Sequence, residues 1–168
     1  TPIEQFQHFQ EEMLLYDLIM AEKRLEKIEL GYKRGVKTPA VQIEEKALLK
    51  IRDFLQNNNP LINLELNPEE EKAIRGFQFF SAKPMLILIN CNEDNINAWD
   101  ETLKTFTEKG YYAYTIAGKF EEELSKLENE EAQMFMEDMG ISESIRDRLT
   151  HWTYQLMGYI SFFTVGPD

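Results

Sequence analysis

The stretch that most constrains the fold of this chain is an apolar run that ends in polar residues, Met85-Leu-Ile-Leu-Ile-Asn-Cys-Asn-Glu-Asp94. A short apolar run bounded by turn residues is typical of a strand buried on both faces, as in a parallel sheet. The polar residues then lie at the carboxyl end of the strand, where open α/β folds bind ligands. The sequence therefore predicts a ligand site that begins at Asn90.

The elements around this strand follow the order of half a doubly wound sheet, α-β-α-β-α. A second buried strand is predicted over residues 111–116 and a possible further strand over 159–165, and helices are predicted over 98–109, 119–127, 129–139 and 144–157. Two or three strands cannot cover both edges of a central strand. We therefore expect the missing neighbours in another stretch of chain, and self-association through the unpaired strands when those neighbours are absent.

The first 60 residues predict a different structure, a hairpin of two helices. Thr1-Pro2 and Thr38-Pro39 are helix starts, and apolar residues recur after each of them at helical spacing. A linker over 61–66 and a helix that starts at Asn67-Pro68 follow. The sequence thus predicts a coiled-coil-like helical hairpin over residues 1–60 and an α/β part over residues 61–168.

Charge is distributed unevenly along the chain, which has a net charge of −12. Residues 1–60 carry nine basic and ten acidic side chains, whereas residues 61–168 carry nine and twenty. An acidic body disfavours broad binding to nucleic-acid phosphates. The basic residues Lys33, Arg34 and Lys37 cluster at the tip of the predicted hairpin, where they form either a local RNA contact or an ordinary solvated turn.

The cysteine and histidine content excludes several classes of protein. A single cysteine cannot form an internal disulfide, which together with the lack of a signal segment favours a cytoplasmic setting. One cysteine and two distant histidines predict no metal site. The longest apolar run is far shorter than the roughly 20 residues that a membrane span requires, so no membrane partner is expected.

Asn90 and Glu93 have the Asn-x-x-Glu spacing of an altered purine-base reader. An asparagine amide can donate to and accept from a purine edge at the same time. The usual guanine reader has aspartate in place of Glu93, and the longer glutamate cannot take the same position without displacing the base. Adenine lacks the two donors that such an aspartate binds, so the change predicts an adenine preference or lost guanine specificity. The alternative is that Asn90 only ends a strand and caps a turn.

Five stretches resemble the YchF or Obg-like ATPase family, a branch of the P-loop GTPases whose members generally favour ATP. They are residues 15–27, 66–75, 79–85, 135–140 and 162–166, and the resemblance covers nearly the whole chain. It implies a mostly parallel, P-loop NTPase-like α/β fold with an inserted antiparallel helical hairpin. Residues 61–168 would then be the carboxyl-terminal half of a nucleotide-binding domain.

The resemblance also implies roles for individual residues. In the family the asparagine equivalent to Asn90 contacts the base, and the backbone of the next residue, here Cys91, meets the 6-position of the purine. A further family motif, Ser/Cys-Ala-x-x-Glu, falls on residues 117–121, so backbone N–H groups of Ala117 and Gly118 are expected near the base. Ala117 lacks the hydroxyl or thiol of that motif, whereas Glu121 keeps its acid. The alternative is a glycine-containing turn into a helix, with Glu121 near the positive end of that helix.

The chain contains no Gly-x-x-x-x-Gly-Lys-Ser/Thr sequence, which in P-loop proteins cradles the phosphates and helps to hold magnesium. We therefore expect only the base-reading half of an ATP or GTP site, with Mg²⁺ held by an N-terminal half. No catalytic residue is predicted, and the chain alone should not hydrolyse nucleotides. By resemblance the parent protein would be associated with ribosomes and translation. The alternative is a nucleotide-independent module that binds RNA or protein through the hairpin.

Overall fold

The computed structural model describes residues 1–138 and 143–163, and these form two compact units. The first runs from Ile3 to Pro84 and the second begins at Met85. The two units are thus divided after residue 84 and not after residue 60, because residues 61–84 pack against the preceding helices. Whether residues 1–60 form an insert in a nucleotide-binding domain stays a prediction.

The first unit contains three helices, α1 (Pro2–Lys33), α2 (Pro39–Gln56) and α3 (Pro68–Ile74), with 3-10 turns at Leu61–Asn63 and Arg75–Phe77. Each α-helix starts at the cap that the sequence predicts, with a side chain of Thr1, Thr38 or Asn67 accepting a hydrogen bond from a backbone N–H of the first turn. The buried apolar side chains form one core: Leu14, Ala21, Ile28, Leu48, Ile51, Leu55, Leu61 and Phe79.

Helices α1 and α2 are joined by polar contacts as well as by this core. Arg24 donates two hydrogen bonds of 2.7 Å each to the two carboxylate oxygens of Glu44. This bidentate pair raises the pKa of Arg24, chiefly through the hydrogen bond to Glu44. Closer to the turn, the Tyr32 hydroxyl donates to Glu45 over 2.7 Å, and this contact raises the pKa of Tyr32 to about 12.

One buried carboxylate on α1 binds the segment around residues 80 and 81, which lies at the end of the first unit. Asp17 is fully buried, and its Oδ1 accepts from the backbone N–H of Phe80 over 2.8 Å. Its Oδ2 accepts from the backbone N–H and the hydroxyl of Ser81 over 2.8 and 2.6 Å. Three donors satisfy this side chain, which explains how a polar group is accommodated in the helical core.

The second unit is built on two parallel strands, β1 (Leu86–Asn90) and β2 (Tyr112–Ile116), paired with Asn90 opposite Ile116. Helix α4 (Asp100–Glu108) connects them and buries Phe106. Helices α5 (Gly118–Leu124), α6 (Asn129–Asp138) and α7 (Ile145–Met157) follow. The predicted α/β fold class is confirmed, and each strand begins one residue later than predicted.

Two predicted elements differ from the structure. The helix expected from residue 98 begins at Asp100, since residues Glu93–Trp99 form a 3-10 helix instead. The strand expected over residues 159–165 is wrong for its described part, because residues 159–163 form no strand and Ile160 and Phe163 are 83% and 96% exposed. Aromatic and β-branched residues favour a strand only where a neighbour can pair with them. Residues 164 and 165 lie outside the described residues, as does residue 139, the last residue of the helix predicted over 129–139.

In the part of the chain that the structure describes, no helix is both long enough and apolar enough to cross a membrane.

Candidate nucleotide-base site

The two predicted motifs meet at the carboxyl ends of the paired strands. Because β1 and β2 are adjacent and parallel, the residues that follow them leave the sheet at the same edge. The side-chain Oδ1 of Asn90 accepts a hydrogen bond of 3.0 Å from the backbone N–H of Gly118, 28 residues later in the chain. Residues predicted from two separate motifs are therefore in direct contact.

Cys91 continues the pairing of the strands by one residue. Its backbone N–H donates to the carbonyl oxygen of Ile116 over 2.9 Å, and its thiol lies 3.6 Å from the same oxygen. Burial raises the pKa of Cys91, which keeps the thiol protonated and argues against a nucleophilic role. Of its backbone groups, the N–H is therefore committed to the sheet, whereas its carbonyl oxygen accepts no hydrogen bond from the described residues.

A cavity of about 240 Å³ lies beside these residues. Its lining is formed by the turn after β1 and the turn after β2: Cys91, Asn92, Glu93, Asp94, Ala117, Lys119, Phe120 and Glu123. Three of the five predicted base-site residues, Cys91, Glu93 and Ala117, thus line one cavity. The other two, Asn90 and Gly118, are joined by their hydrogen bond at its edge.

Several lining residues were not predicted as part of the site. Phe120 is buried and supplies an apolar wall, while Lys119 and Glu123 place one positive and one negative charge at the cavity. These residues could have been predicted from the sequence, because they follow the second motif on the helix α5 and helical spacing brings positions 119, 120 and 123 near one another. Glu93 is exposed at the start of its 3-10 helix.

Glu121, the acid of the second motif, points elsewhere. Its carboxylate accepts from the guanidinium of Arg148 over 3.0 Å and from the backbone N–H of Ile145 over 3.2 Å. It therefore joins α5 to the start of α7. Close to this contact, the rings of Trp152 and Tyr114 are stacked with centroids 3.8 Å apart, so α7 is fixed to β2.

Two of the three basic residues at the hairpin tip, Lys33 and Lys37, have partners on α1. The Lys33 ammonium lies 2.7 Å from the Glu29 carboxylate, and Lys37 lies 5.4 Å above the centre of the Tyr32 ring. Arg34 is exposed at the end of α1. Since the Lys33–Glu29 pair is itself exposed, it is weak enough for a phosphate to replace it.

Among residues 1–138 and 143–163, no three histidine, cysteine or acidic side chains are grouped so that they could hold a metal ion.

Comparison with known proteins gives matches along the whole chain. The ribosome-binding ATPase YchF of Bacillus subtilis is 28% identical over 173 residues, which cover 99% of this chain and 47% of that protein. Obg-like ATPase 1 of Caenorhabditis elegans is 24% identical over 174 residues, covering 99% of this chain and 44% of its own length. The chain is thus similar to the YchF and Obg-like ATPases along nearly its whole length. No model of a protein family matches it.

The fold agrees with this relationship. The solved structure of the Schizosaccharomyces pombe YchF GTPase matches 100% of this chain and 47% of its own with a TM-score of 0.80, at 23% sequence identity. The resemblance found in the sequence is therefore confirmed. The chain spans about half the length of the relatives that it matches.

Proposed function

We propose that this chain provides the base-recognition half of the nucleotide site in a YchF-like protein that binds and slowly hydrolyses ATP. The observation that carries the proposal is the contact between Asn90 and Gly118 at the edge of a cavity formed after two parallel strands. Ligands of open α/β sheets bind at this place. The names of the relatives, ribosome-binding ATPase and Obg-like ATPase, support the same class of activity.

The hydrogen bond that the Cys91 backbone already makes within the sheet favours adenine over guanine. At the 6-position adenine carries an amino group that donates, whereas guanine carries an oxygen that accepts. The Cys91 N–H is already bound to Ile116, so Cys91 can offer only its carbonyl oxygen. That oxygen would accept from adenine and repel the guanine oxygen, in agreement with the expected effect of Glu93.

The phosphate-binding half is proposed to lie in a part of the protein that this sequence does not include. The chain has no phosphate loop, and its relatives are about twice as long. That part would supply the loop, the residues that hold Mg²⁺ and the strands that pair with the open edges of the sheet. On this proposal, the chain itself supplies only the contacts to the base.

The test is nucleotide binding by the full-length protein with Asn90 replaced by alanine. Loss of the side-chain hydrogen bonds should weaken ATP binding by about 1–3 kcal/mol, as measured by isothermal titration calorimetry. Wild-type protein should bind GTP more weakly than ATP by roughly 1.5–3 kcal/mol. Asn63→Ala, at an exposed position of the other unit, is the matched control. Unchanged ATP affinity in the Asn90 variant would remove the assignment.

A second, compatible function is contact with ribosomal RNA through the hairpin tip. The observation that favours it is the position of Lys33, Arg34 and Lys37 on an exposed turn of an otherwise acidic protein. If the chain instead acts without nucleotide, this surface is the one that we propose for RNA or protein binding.

A further inference from the structure

We propose that Glu121 is a positioning residue, which holds the turn after β2 in the place where that turn can receive a purine base. This inference rests on the proposed function, because it specifies how the same site keeps its shape. Glu121 is not among the residues that line the cavity, so its role is indirect. It acts through the contacts between α5, which begins at this turn, and α7.

The carboxylate of Glu121 joins the first turns of these two helices. It accepts a hydrogen bond of 3.0 Å from the Arg148 guanidinium and one of 3.2 Å from the backbone N–H of Ile145, the first residue of α7. The Glu121 side chain is only 10% exposed. A carboxylate that is largely removed from water requires such partners, and a negative charge is also favoured at the first turn of a helix.

Two aromatic rings extend this contact to β2. The Arg148 guanidinium carbon lies 5.7 Å from the centre of the Trp152 ring, and this ring is stacked on Tyr114 of β2 with centroids 3.8 Å apart. Helix α5 follows β2 directly in the chain. The contacts therefore run from β2 through α7 to α5 and, along the chain, back to β2. The turn between β2 and α5 is thus fixed at both of its ends.

That turn forms part of the cavity. Ala117 and Phe120 line the cavity and are buried, and the Ala117 carbonyl oxygen accepts from the backbone N–H of Glu121 over 3.0 Å. A displacement of the first turn of α5 would therefore move the Ala117 backbone, which is expected near the base, together with the Phe120 ring. The position of Glu121 and the shape of the cavity are linked through the helix backbone.

Helix α5 depends on contacts with other elements because it is short. It contains seven residues, and no side chain caps its N-terminus. A helix of this length is not stable on its own, so tertiary contacts set its position. Glu122 pairs with Lys126, four residues later in the chain, whereas the neighbouring Glu121 reaches another helix. Glu122 is therefore a matched control for Glu121.

The experiment compares ATP with inorganic tripolyphosphate, which has the three phosphates but neither base nor ribose. Isothermal titration calorimetry measures both affinities with the full-length protein and Mg²⁺. Wild type should bind ATP more tightly than tripolyphosphate. Glu121→Ala should bind ATP about three- to tenfold more weakly than wild type does, the effect of about one lost hydrogen bond, and its affinity for tripolyphosphate should be unchanged. Glu122→Ala, which removes an exposed acid, should change neither affinity.

A variant elsewhere in the second unit separates positioning from a general loss of stability. Phe106→Leu shortens a side chain on α4 that is 1% exposed, so it should lower the thermal unfolding temperature but leave the ATP affinity unchanged. If Glu121→Ala does not fold, which thermal unfolding will reveal, Arg148→Met takes its place. This variant removes the ion pair and leaves Glu121 bonded to the Ile145 N–H, and it should show the same selective loss of ATP affinity.

The outcomes separate this inference from the function on which it rests. A wild-type protein that binds ATP no more tightly than tripolyphosphate would overturn the proposed base site and the inference together. An undiminished preference for ATP in a folded Glu121→Ala or Arg148→Met protein would overturn the role of Glu121 and retain the base site. Equal loss of both ligands in these variants, or an equal loss of ATP affinity in Phe106→Leu, would also overturn that role, because affinity would then follow the stability of the protein.

Discussion

Glu70 shows how a single buried carboxylate can be stabilised by neighbours from two directions. Its side chain is 1% exposed, and its Oε2 accepts from the Lys50 ammonium over 2.7 Å and from the backbone N–H of Asn67 over 3.2 Å. Lys46 lies 3.9 Å from the other carboxylate oxygen. These contacts, above all the hydrogen bond from Lys50, hold the pKa of Glu70 below its ordinary value.

The lowered pKa of Glu70 predicts an acid-dependent loss of stability. As the pH falls through the ordinary value of 4.5 and below, the unfolded chain takes up this proton before the folded chain does, so the stabilisation present above that value is lost. Between about pH 6 and about pH 3.5, urea unfolding of Glu70→Gln should therefore depend less steeply on pH than that of wild type. Glu69→Gln, an exposed neighbour in the same turn, should behave like wild type, and equal slopes in all three proteins would refute the prediction.

At the same scale, the sequence predicts the candidate site residues better than it predicts their contacts. Asn90, Cys91 and Glu93 follow an apolar run, and parallel strands bring their ends together, so the meeting with Ala117 and Gly118 could be expected. The bond from the Gly118 N–H to the Asn90 oxygen depends on a register between strands 26 residues apart, which no local pattern encodes. The contact between Glu121 and Arg148 likewise joins residues far apart in the chain and is not predictable from a local pattern.

At the scale of elements, helices with local start signals were predictable, whereas strands and connections were less so. Helix α1 begins after its Thr1 cap, and this start is predictable because the capping box lies within four consecutive residues. The segment over 61–66 was expected to be a linker, yet Leu61 is buried in the helical core, held by a hydrogen bond from the Ile62 N–H to Ser81. Residues 159–163 have side chains that favour a strand but no partner strand among the described residues, and a strand forms only where it can pair with a neighbour.

The hairpin tip makes a prediction about binding to the ribosome. Reversing Lys33, Arg34 and Lys37 to glutamate in the full-length protein should weaken its co-sedimentation with ribosomes, because phosphate contacts would become repulsive. The dependence of the logarithm of the affinity on the logarithm of the salt concentration should lose about two units of slope, as expected for the loss of two to three phosphate contacts. Reversal of Lys104, Lys109 and Lys126, which are exposed on the other unit, is the control. If both triple variants sediment alike, the tip is not the ribosome contact.

At the scale of the whole molecule, the sheet is the part that we expect to be completed by other residues. In the described residues it has two strands, and an open parallel sheet needs further strands to cover its edges. The relatives are about twice as long as this chain. We expect further strands outside this sequence because the apolar run before Asn90 is typical of a central strand. Their order and register cannot be predicted, because they depend on residues that the sequence does not include.

The absence of a phosphate loop from the sequence leads to a prediction about this chain alone. Base contacts position a nucleotide, but hydrolysis requires groups that stabilise the charge on the transferred phosphoryl group, and these come from the loop and from Mg²⁺. The 168-residue chain, purified without the rest of the protein, should therefore release no phosphate from ATP above the background of a mock purification. The full-length protein, assayed in parallel with Mg²⁺, should do so. Turnover by the isolated chain that persists through successive chromatography steps would show that it contains catalytic groups of its own.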